Sequence, residues 1–325
     1  MTDTTMTAVH LEATGAPDVL VAAQLPLPTP SPTQVLVKTA AVGVNFIETY
    51  QRAGVYPVQL PFVPGTEAAG EVVAVGSEVT HFSVGNRLAT ANATATYAEY
   101  FLVDQELAVP VPESISWEDA AALPLQGMTA HYLINSTFRV EPGHNVLIHA
   151  GAGGVGGIAI QLLKARGATV FTTVSSDEKA EIAAAHGADH VLRYEGFAEN
   201  VKDLTDGAGL DVVYDGVGKD TFEKSLTVLK TRGMAALFGG ASGQVAPFDL
   251  QKLNELGSLF VTRPTLAHYS QDRQEISWRM GELFDAIETG DLQLTVDQTF
   301  PLEQAAEAHT YLEARKTRGK VLLLP

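Results

Sequence analysis

Val146-Leu-Ile-His-Ala-Gly151-Ala-Gly153-Gly154-Val155-Gly156 joins a short apolar run directly to a string of glycines. Val146-Leu-Ile148 is a short apolar run of the kind buried in a parallel sheet. The glycines that follow spell G-x-G-x-x-G, and an apolar helical run from Ile158 to Lys164 comes next. Gly167-Ala-Thr-Val-Phe-Thr-Thr-Val174 then predicts a second strand, closing a strand–loop–helix–strand unit of about 30 residues. A glycine-rich loop alone could be an ordinary structural turn, and it is the surrounding unit that makes it a dinucleotide-binding candidate. In that reading Gly151 permits the tight turn, Gly153 lets the backbone approach a pyrophosphate, and Gly156 lets helix and strand pack closely. Gly154 and Val155 open the helix, whose first N–H groups and partial positive charge face the phosphates.

Beyond this unit the same alternation continues. Lys179 to His186 predicts a helix ended by Gly187, Val191-Leu192 a third strand, and Asp211–Asp215 and Met234–Phe238 two more. Strands alternating with helices predict a doubly wound parallel sheet of the Rossmann type. Before it, the chain is β-rich: Val35–Lys38, Gly70–Val75 and Tyr100–Val103 are short strand runs broken by Gly and Pro. Pro26, Pro28, Pro30 and Pro32 predict an extended loop, and Ser116 with Asp119 predicts a capped helix start. From about residue 272 one or two helices and a final strand, Val321–Leu324, are expected. The layout is α/β, with one αβ domain (127–271) inserted between two pieces of a β-rich domain (1–126 and 272–325).

The end of the second strand selects the cofactor. An NAD site places a carboxylate there for the ribose 2′-OH. Here Val174 is followed by Ser175 and Ser176, with Lys179 one helical turn on and Tyr194 a further donor. Hydroxyls and a cation suit a 2′-phosphate, so NADPH is expected. Asp177 and Glu178 could have faced the ribose, but carboxylates also suit the first turn of a helix.

Composition narrows the function. The net charge of −17 disfavours nucleic acid and anionic lipid as partners, since both reward a basic surface. Cysteine is absent, which removes disulfides, iron–sulfur clusters, thiolate metal sites and a cysteine nucleophile. No apolar run is long enough to span a bilayer, and no secretory signal is evident at the start, so a cytoplasmic enzyme is expected.

Several motifs together carry a family resemblance: Gly43-Val-Asn-Phe-Ile-Glu-Thr-Tyr50, Pro64-Gly-Thr-Glu67, Leu123–Tyr132, His149–Gly156, Val174–Lys179, His186–His190 and Ser258–Pro264. In this order, along essentially the whole length, the chain resembles the quinone oxidoreductase (zeta-crystallin-like) branch of the medium-chain dehydrogenase/reductase superfamily. The resemblance implies a GroES-like β-rich catalytic domain plus the Rossmann domain, an active site in the cleft between them, and usually a homodimer. It implies that Asn45, Tyr50, Tyr56 and Thr66 line the substrate cleft, with Asn45 and Thr66 able to hydrogen-bond a substrate oxygen. Gln126 and Thr129 are then expected near the nicotinamide, as are Phe238 and Gly239 after a later strand, and Phe260 to Arg263 as well. Of the basic run Arg315, Lys316, Arg318 and Lys320, Arg318 is the candidate for reaching the cofactor phosphates, the alternative being a solvated surface run.

The departures matter equally. Zinc alcohol dehydrogenases of the superfamily carry two cysteines and a Gly-His-Glu histidine around their metal. Here Thr66 stands in the histidine's place, and His186 and His190 are separated by a helix-ending Gly187, so no metal is expected. Glu67 is expected to be semi-buried, structural and in need of a cationic partner. Without a Lewis acid, quinones and α,β-unsaturated carbonyls are the suitable electrophiles, needing a hydride donor at close range and hydrogen bonds to oxygen. The expected activity is a zinc-independent NADPH:quinone oxidoreductase. An alkenal or enone reductase and a non-catalytic NADPH-binding protein are the alternatives.

Overall fold

The computed structural model describes residues 4–314 and 317–325. The chain divides into two compact units. One comprises the described residues up to Leu125 with Ser270–Glu288 and Leu294–Pro325; the other comprises Gln126–Tyr269 and Thr289–Gln293. Relative to the boundaries expected above, the second unit takes in Gln126 and the five residues from Thr289, while Ser270 and Gln271 go to the first.

The first unit begins with β1 (Thr5–His10) and β2 (Val21–Pro26), an antiparallel pair in register from Thr5↔Pro26 to His10↔Val21. β3 (Gln34–Val44) follows the proline-punctuated loop, and α1 (Phe46–Arg52) comes directly after it. Then come β4 (Ala68–Val75), β5 (Arg87–Thr90), β6 (Tyr100–Asp104), β7 (Val109–Pro110) and α2 (Trp117–Ala122). Ser116 caps α2 as expected, its hydroxyl accepting from the Asp119 N–H at 3.0 Å. Asp119 answers through the Ser116 hydroxyl, which donates to its carboxylate at 2.8 Å.

The second unit opens within α3 (Pro124–Tyr132), whose first two residues belong to the first unit. β8 (Asn145–His149), α4 (Gly154–Ala165), β9 (Thr169–Val174), α5 (Asp177–Ala185) and β10 (His190–Arg193) form one half of the layer. α6 (Phe197–Leu204), β11 (Leu210–Asp215), α7 (Phe222–Leu226), β12 (Leu229–Leu237), α8 (Gln251–Glu255) and β13 (Phe260–Thr262) form the other. The six strands are parallel in the order β10-β9-β8-β11-β12-β13. Both faces of the inner strands are covered, so β8 from Val146 to His149 and the whole of β11 are buried without the alternation of a one-sided sheet. Leu147, Phe171, Phe197, Val213, Phe222 and Leu226 are buried together in this core. The strand order reverses direction at β8, so the crevice outside its carboxyl end is where an open α/β sheet binds ligands.

The chain returns to the first unit through α9 (Arg273–Thr289), β14 (Val296–Pro301), α10 (Ala305–Glu313) and β15 (Lys320–Leu324). The resulting seven-stranded sheet runs β14-β15-β3-β4-β5-β7, with β6 also paired to β3. β3 is its spine: Val35, Val37, Val42 and Val44 pack with Val72, Leu88, Phe101 and Leu323 in the core. β14 was not anticipated, because its residues are half-buried or exposed and show no apolar run.

Candidate functional site

Where β3 ends, Asn45 turns the chain into α1 with an extended backbone, φ −133° and ψ 163°. The Glu48 carboxylate reaches back and accepts from the Asn45 N–H at 2.8 Å. The Asn45 amide is also committed: Nδ2 donates to Glu67 at 2.9 Å, and Oδ1 accepts from the Lys320 ammonium at 2.7 Å. Lys320 in turn donates to Glu67, whose other oxygen accepts from the Leu125 N–H at 2.6 Å. Gly43 makes room for this, since a Cβ there would collide with the Glu67 carboxylate.

Two expectations are corrected here. Glu67 is fully buried rather than semi-buried, and its cation is Lys320, which is 2% exposed. Lys320 therefore does not belong to a solvated basic run. Asn45 keeps its place at the head of α1, but its amide is held inside the protein by Glu67 and Lys320. Beside this pair, burial pushes the Glu48 carboxyl up to about 8, against the opposing pull of Lys320. Its Oε1 is buried with no hydrogen-bond partner among the described residues.

A second buried chain anchors the far end of α1. Arg52 donates to His309 Nδ1 at 3.2 Å and to both oxygens of Glu313, at 2.8 and 3.1 Å. Because a guanidinium can only donate, His309 Nδ1 is the acceptor and Nε2 carries the proton, which it gives to the Tyr97 hydroxyl at 3.0 Å. Burial and the neighbouring Arg52 lower His309 to about 3, and burial raises Tyr97 well above its ordinary value. These residues escaped sequence reasoning because nothing local marks them.

With both ends fixed, α1 carries Tyr50, half-buried, whose carbonyl accepts from the N–H groups of Val55 and Tyr56 at 2.9 and 3.2 Å. That turn passes through Gly54 at φ +78°. It brings the Tyr50 and Tyr56 rings edge to face, centroids 5.5 Å apart, with Tyr56 43% exposed. Thr66 is half-buried next to Glu67, its carbonyl accepting from Ala93 N–H at 3.0 Å.

In the second unit the glycine loop follows β8 and feeds α4, whose N-cap is Gly153. The left-handed residue of the turn is Ala150, at φ +60°, and not Gly151. Gly151 is needed instead because a Cβ would collide with the Thr172 hydroxyl. At Gly156 a Cβ would strike the Ala150 carbonyl, and at Gly154 the Gln126 amide, which packs on the loop. Gly153 differs: only the Ala150 oxygen, at 3.2 Å, would meet its Cβ. A side chain there would fill the cradle, and its absence leaves the backbone beside Val155 and the helix start open to a phosphate.

At the end of β9, Ser175 is exposed and Ser176 caps α5, accepting from the Lys179 N–H at 3.3 Å. The Ser176 proton stays available for donation. Lys179 is half-buried one turn on. Tyr194 is also half-buried, its ring lying near-parallel to His149 at 6.2 Å. Asp177 is paired with Arg193. At the neighbouring strand ends, Phe238 lies over Gly216, and Gly239 packs on the Gly216 backbone too closely for any side chain. Thr129, on α3, is 7% exposed.

His149 closes the carboxyl edge, bonding Thr173 at 2.7 Å and Ser225 at 2.9 Å, and burial lowers it to about 4 against the pull of Asp215. Phe260 opens β13 opposite Met234, away from the carboxyl ends where the loop lies, and is 56% exposed on the edge strand. Arg318 is exposed, its N–H donating to Asp297 at 3.0 Å. Arg315 and Lys316 lie outside the described residues.

Comparison with known proteins gives the family. Residues 31–113 match the alcohol dehydrogenase GroES-like domain, and residues 154–278 match the zinc-binding dehydrogenase model. The residues present do not fit the zinc of that description. The chain has no cysteine, and no group of three or more His, Asp or Glu among the described residues could hold a metal ion. A quinone oxidoreductase of Pseudomonas aeruginosa is 45% identical over 98% of this chain and 99% of its own. A 2-haloacrylate reductase of Burkholderia is 44% identical over 98% of each. The structure of Escherichia coli quinone oxidoreductase complexed with NADPH superposes with a TM-score of 0.96 at 42% identity, covering 98% of this chain and all of that one. Identity of this order over the full length, on a GroES-like unit and a parallel Rossmann sheet, means that the chain belongs to the quinone oxidoreductase family of the medium-chain dehydrogenase/reductase superfamily.

Proposed function

We propose that this protein is a zinc-independent NADPH:quinone oxidoreductase. The observation that carries the reading is its 45% identity, along 98% of the chain, to a quinone oxidoreductase. The residues fit the cofactor that the Escherichia coli relative holds. Gly153, Gly154, Val155 and Gly156 offer an open backbone cradle at a helix N-terminus for the pyrophosphate. Ser175, Ser176, Lys179 and Tyr194 supply donors and charge for a 2′-phosphate. Gln126, Thr129, Phe238 and Gly239 flank the nicotinamide half in this reading, and Arg318 is a further phosphate candidate.

The reduced nicotinamide supplies a hydride. Tyr50 and Tyr56 offer an aromatic edge-to-face pair on which a flat quinone can lie, and their hydroxyls can donate to its oxygen. Thr66 is the neighbouring hydroxyl donor. Asn45 acts through its position, with Lys320 and Glu67 fixing its amide and so the start of α1. A homodimer fits β13, an edge strand with Phe260 and Val261 56% and 38% exposed. The proposed location is the cytoplasm; no helix among the described residues is long and apolar enough to cross a membrane.

Oxidation of NADPH, followed by its near-ultraviolet absorbance with 1,4-benzoquinone in metal-free buffer and NADH in parallel, tests the reading. Fast, NADPH-selective oxidation is the expected result. The 44% identity to a 2-haloacrylate reductase favours one second reading, reduction of an activated alkene. Turnover of 2-chloroacrylate with none of benzoquinone would put that reading first.

A further inference from the structure

We infer that Arg193 and Asp177 act as a charge pair that sets the preference for NADPH over NADH, an inference that rests on the dinucleotide reading of the second unit. β10 runs parallel to β9 with Arg193 opposite Val174, so Arg193 arrives at the carboxyl edge beside Ser175 and Ser176. Its Nη2 donates to Asp177, the first residue of α5. Asp177 occupies the neighbourhood in which a carboxylate would hold the ribose 2′-OH of NAD. The pair neutralises that carboxylate.

Folding does not explain the pair. The Asp177 side chain is fully exposed and that of Arg193 is 41% exposed, so the contact is a surface ion pair of little stabilising value. The other half of the guanidinium points to a ligand. Nη1 is buried and has no hydrogen-bond partner among the described residues. A buried, charged donor without an acceptor is unfavourable unless something brings an acceptor to it. A guanidinium is a rigid fork. With Nη2 held by Asp177, Nη1 is left for a phosphate oxygen at the same strand end as Lys179 and the two serine hydroxyls.

Arg193 then does two things. It adds positive charge for a 2′-phosphate, and it prevents Asp177 from repelling that phosphate or accepting from a bare 2′-OH. Removing Arg193 reverses both effects. Loss of one charge-assisted hydrogen bond corresponds to roughly a ten- to hundredfold fall in preference. Asp177→Asn should restore part of the loss by removing the exposed negative charge.

The test is calorimetric binding of adenosine 2′,5′-bisphosphate and of AMP, without quinone, to the wild type, R193A, R193K, D177N and R193A/D177N. The wild type should prefer the bisphosphate, and R193A should lower that preference at least about tenfold. R193K, which keeps the charge and loses the fork, should fall between them, and R193A/D177N should bind the bisphosphate better than R193A. Unchanged thermal midpoints of the ligand-free proteins would show that the fold is intact. A wild type that prefers the bisphosphate alongside an R193A that keeps the preference would overturn the inference and leave the NADPH reading standing. A double variant no better than R193A would remove Asp177 from the pair and overturn it as well. A wild type with no preference would sink the NADPH reading itself, and this inference with it.

Discussion

The ammonium of Lys320, from the first residue of the last strand, meets the carboxylate of Glu67 in a fully buried ion pair, with the amide of Asn45 bonded to both. Desolvating two charges is unfavourable, and the pair is tolerable because every polar atom within it has a partner. Removing one member exposes the other. Lys320→Met should therefore lower stability by about 3–5 kcal/mol in urea unfolding, since it strands Glu67. Adding Glu67→Gln should recover much of that loss. A single variant as stable as the wild type would show that the pair is not what holds the start of α1.

Glu48 makes stability depend on pH in the less familiar direction. Its carboxyl is raised from 4.5 to about 8 by burial, so the folded protein keeps a proton that the unfolded chain releases. The penalty is absent below the unfolded value of 4.5 and grows as pH rises toward about 8. Glu48→Gln removes it. Melting curves of the variant should coincide with wild type in mild acid and lie above it in mild alkali, by a margin on the order of a few kcal/mol in stability. Equal midpoints at both ends would mean that Glu48 is ionised in the fold.

Two histidines work in the opposite sense. His309 and His149 fall from 6.5 to about 3 and about 4 in the fold, both chiefly through burial, and so remain neutral where the unfolded chain takes up protons. Their contribution is intact above 6.5 and is lost as pH falls toward the folded values. In a Glu48→Gln background the two together should tilt stability by about 3 kcal/mol per pH unit across that window. Replacing His309 with Gln should halve the slope, measured by urea unfolding at several pH values.

The loop glycines should separate by phenotype. Gly153→Ala brings its methyl group to 3.2 Å from the Ala150 carbonyl oxygen, a contact relieved by a shift of a few tenths of an ångström, so the protein should melt closer to wild type than Gly156→Ala does and bind NADPH more weakly. Gly156→Ala drives a Cβ into the Ala150 carbonyl, and such overpacking should lower stability by roughly 1–3 kcal/mol. Fluorescence titration with NADPH, alongside thermal melts, reads both. Equal affinity in Gly153→Ala and wild type would move the phosphate away from that cradle.

The edge strand β13 tests the oligomer. If two copies associate through it, Phe260→Asp with Val261→Asp should halve the mass seen in sedimentation. A wild type that is already monomeric at micromolar concentration would end the homodimer proposal.

The parallel sheet, the glycine loop and the capped start of α2 were legible because each is local: a period, a turn chemistry or a cap is written within a few neighbouring residues. The position of Ser175 and Ser176 after β9 is likewise a matter of residue type at one place. The polar strand β14 was not legible, since its half-exposed residues carry no apolar pattern. Nor was Ala150 as the left-handed residue of the loop, a position usually expected of glycine.

Local pattern and residue type, then, were enough for the alternating strands and helices around the glycine loop and for the kind of cofactor loop they carry. Which charges are buried was settled by contacts between distant parts of the chain. Lys320 and Arg318 stand two residues apart in one basic run, yet one is sealed against Glu67 and the other faces solvent. Lys320 is 253 positions from Glu67, and His309 is 212 positions from Tyr97. A charge or an imidazole can be buried only where the fold delivers its partner, and no local pattern encodes a partner two hundred residues away.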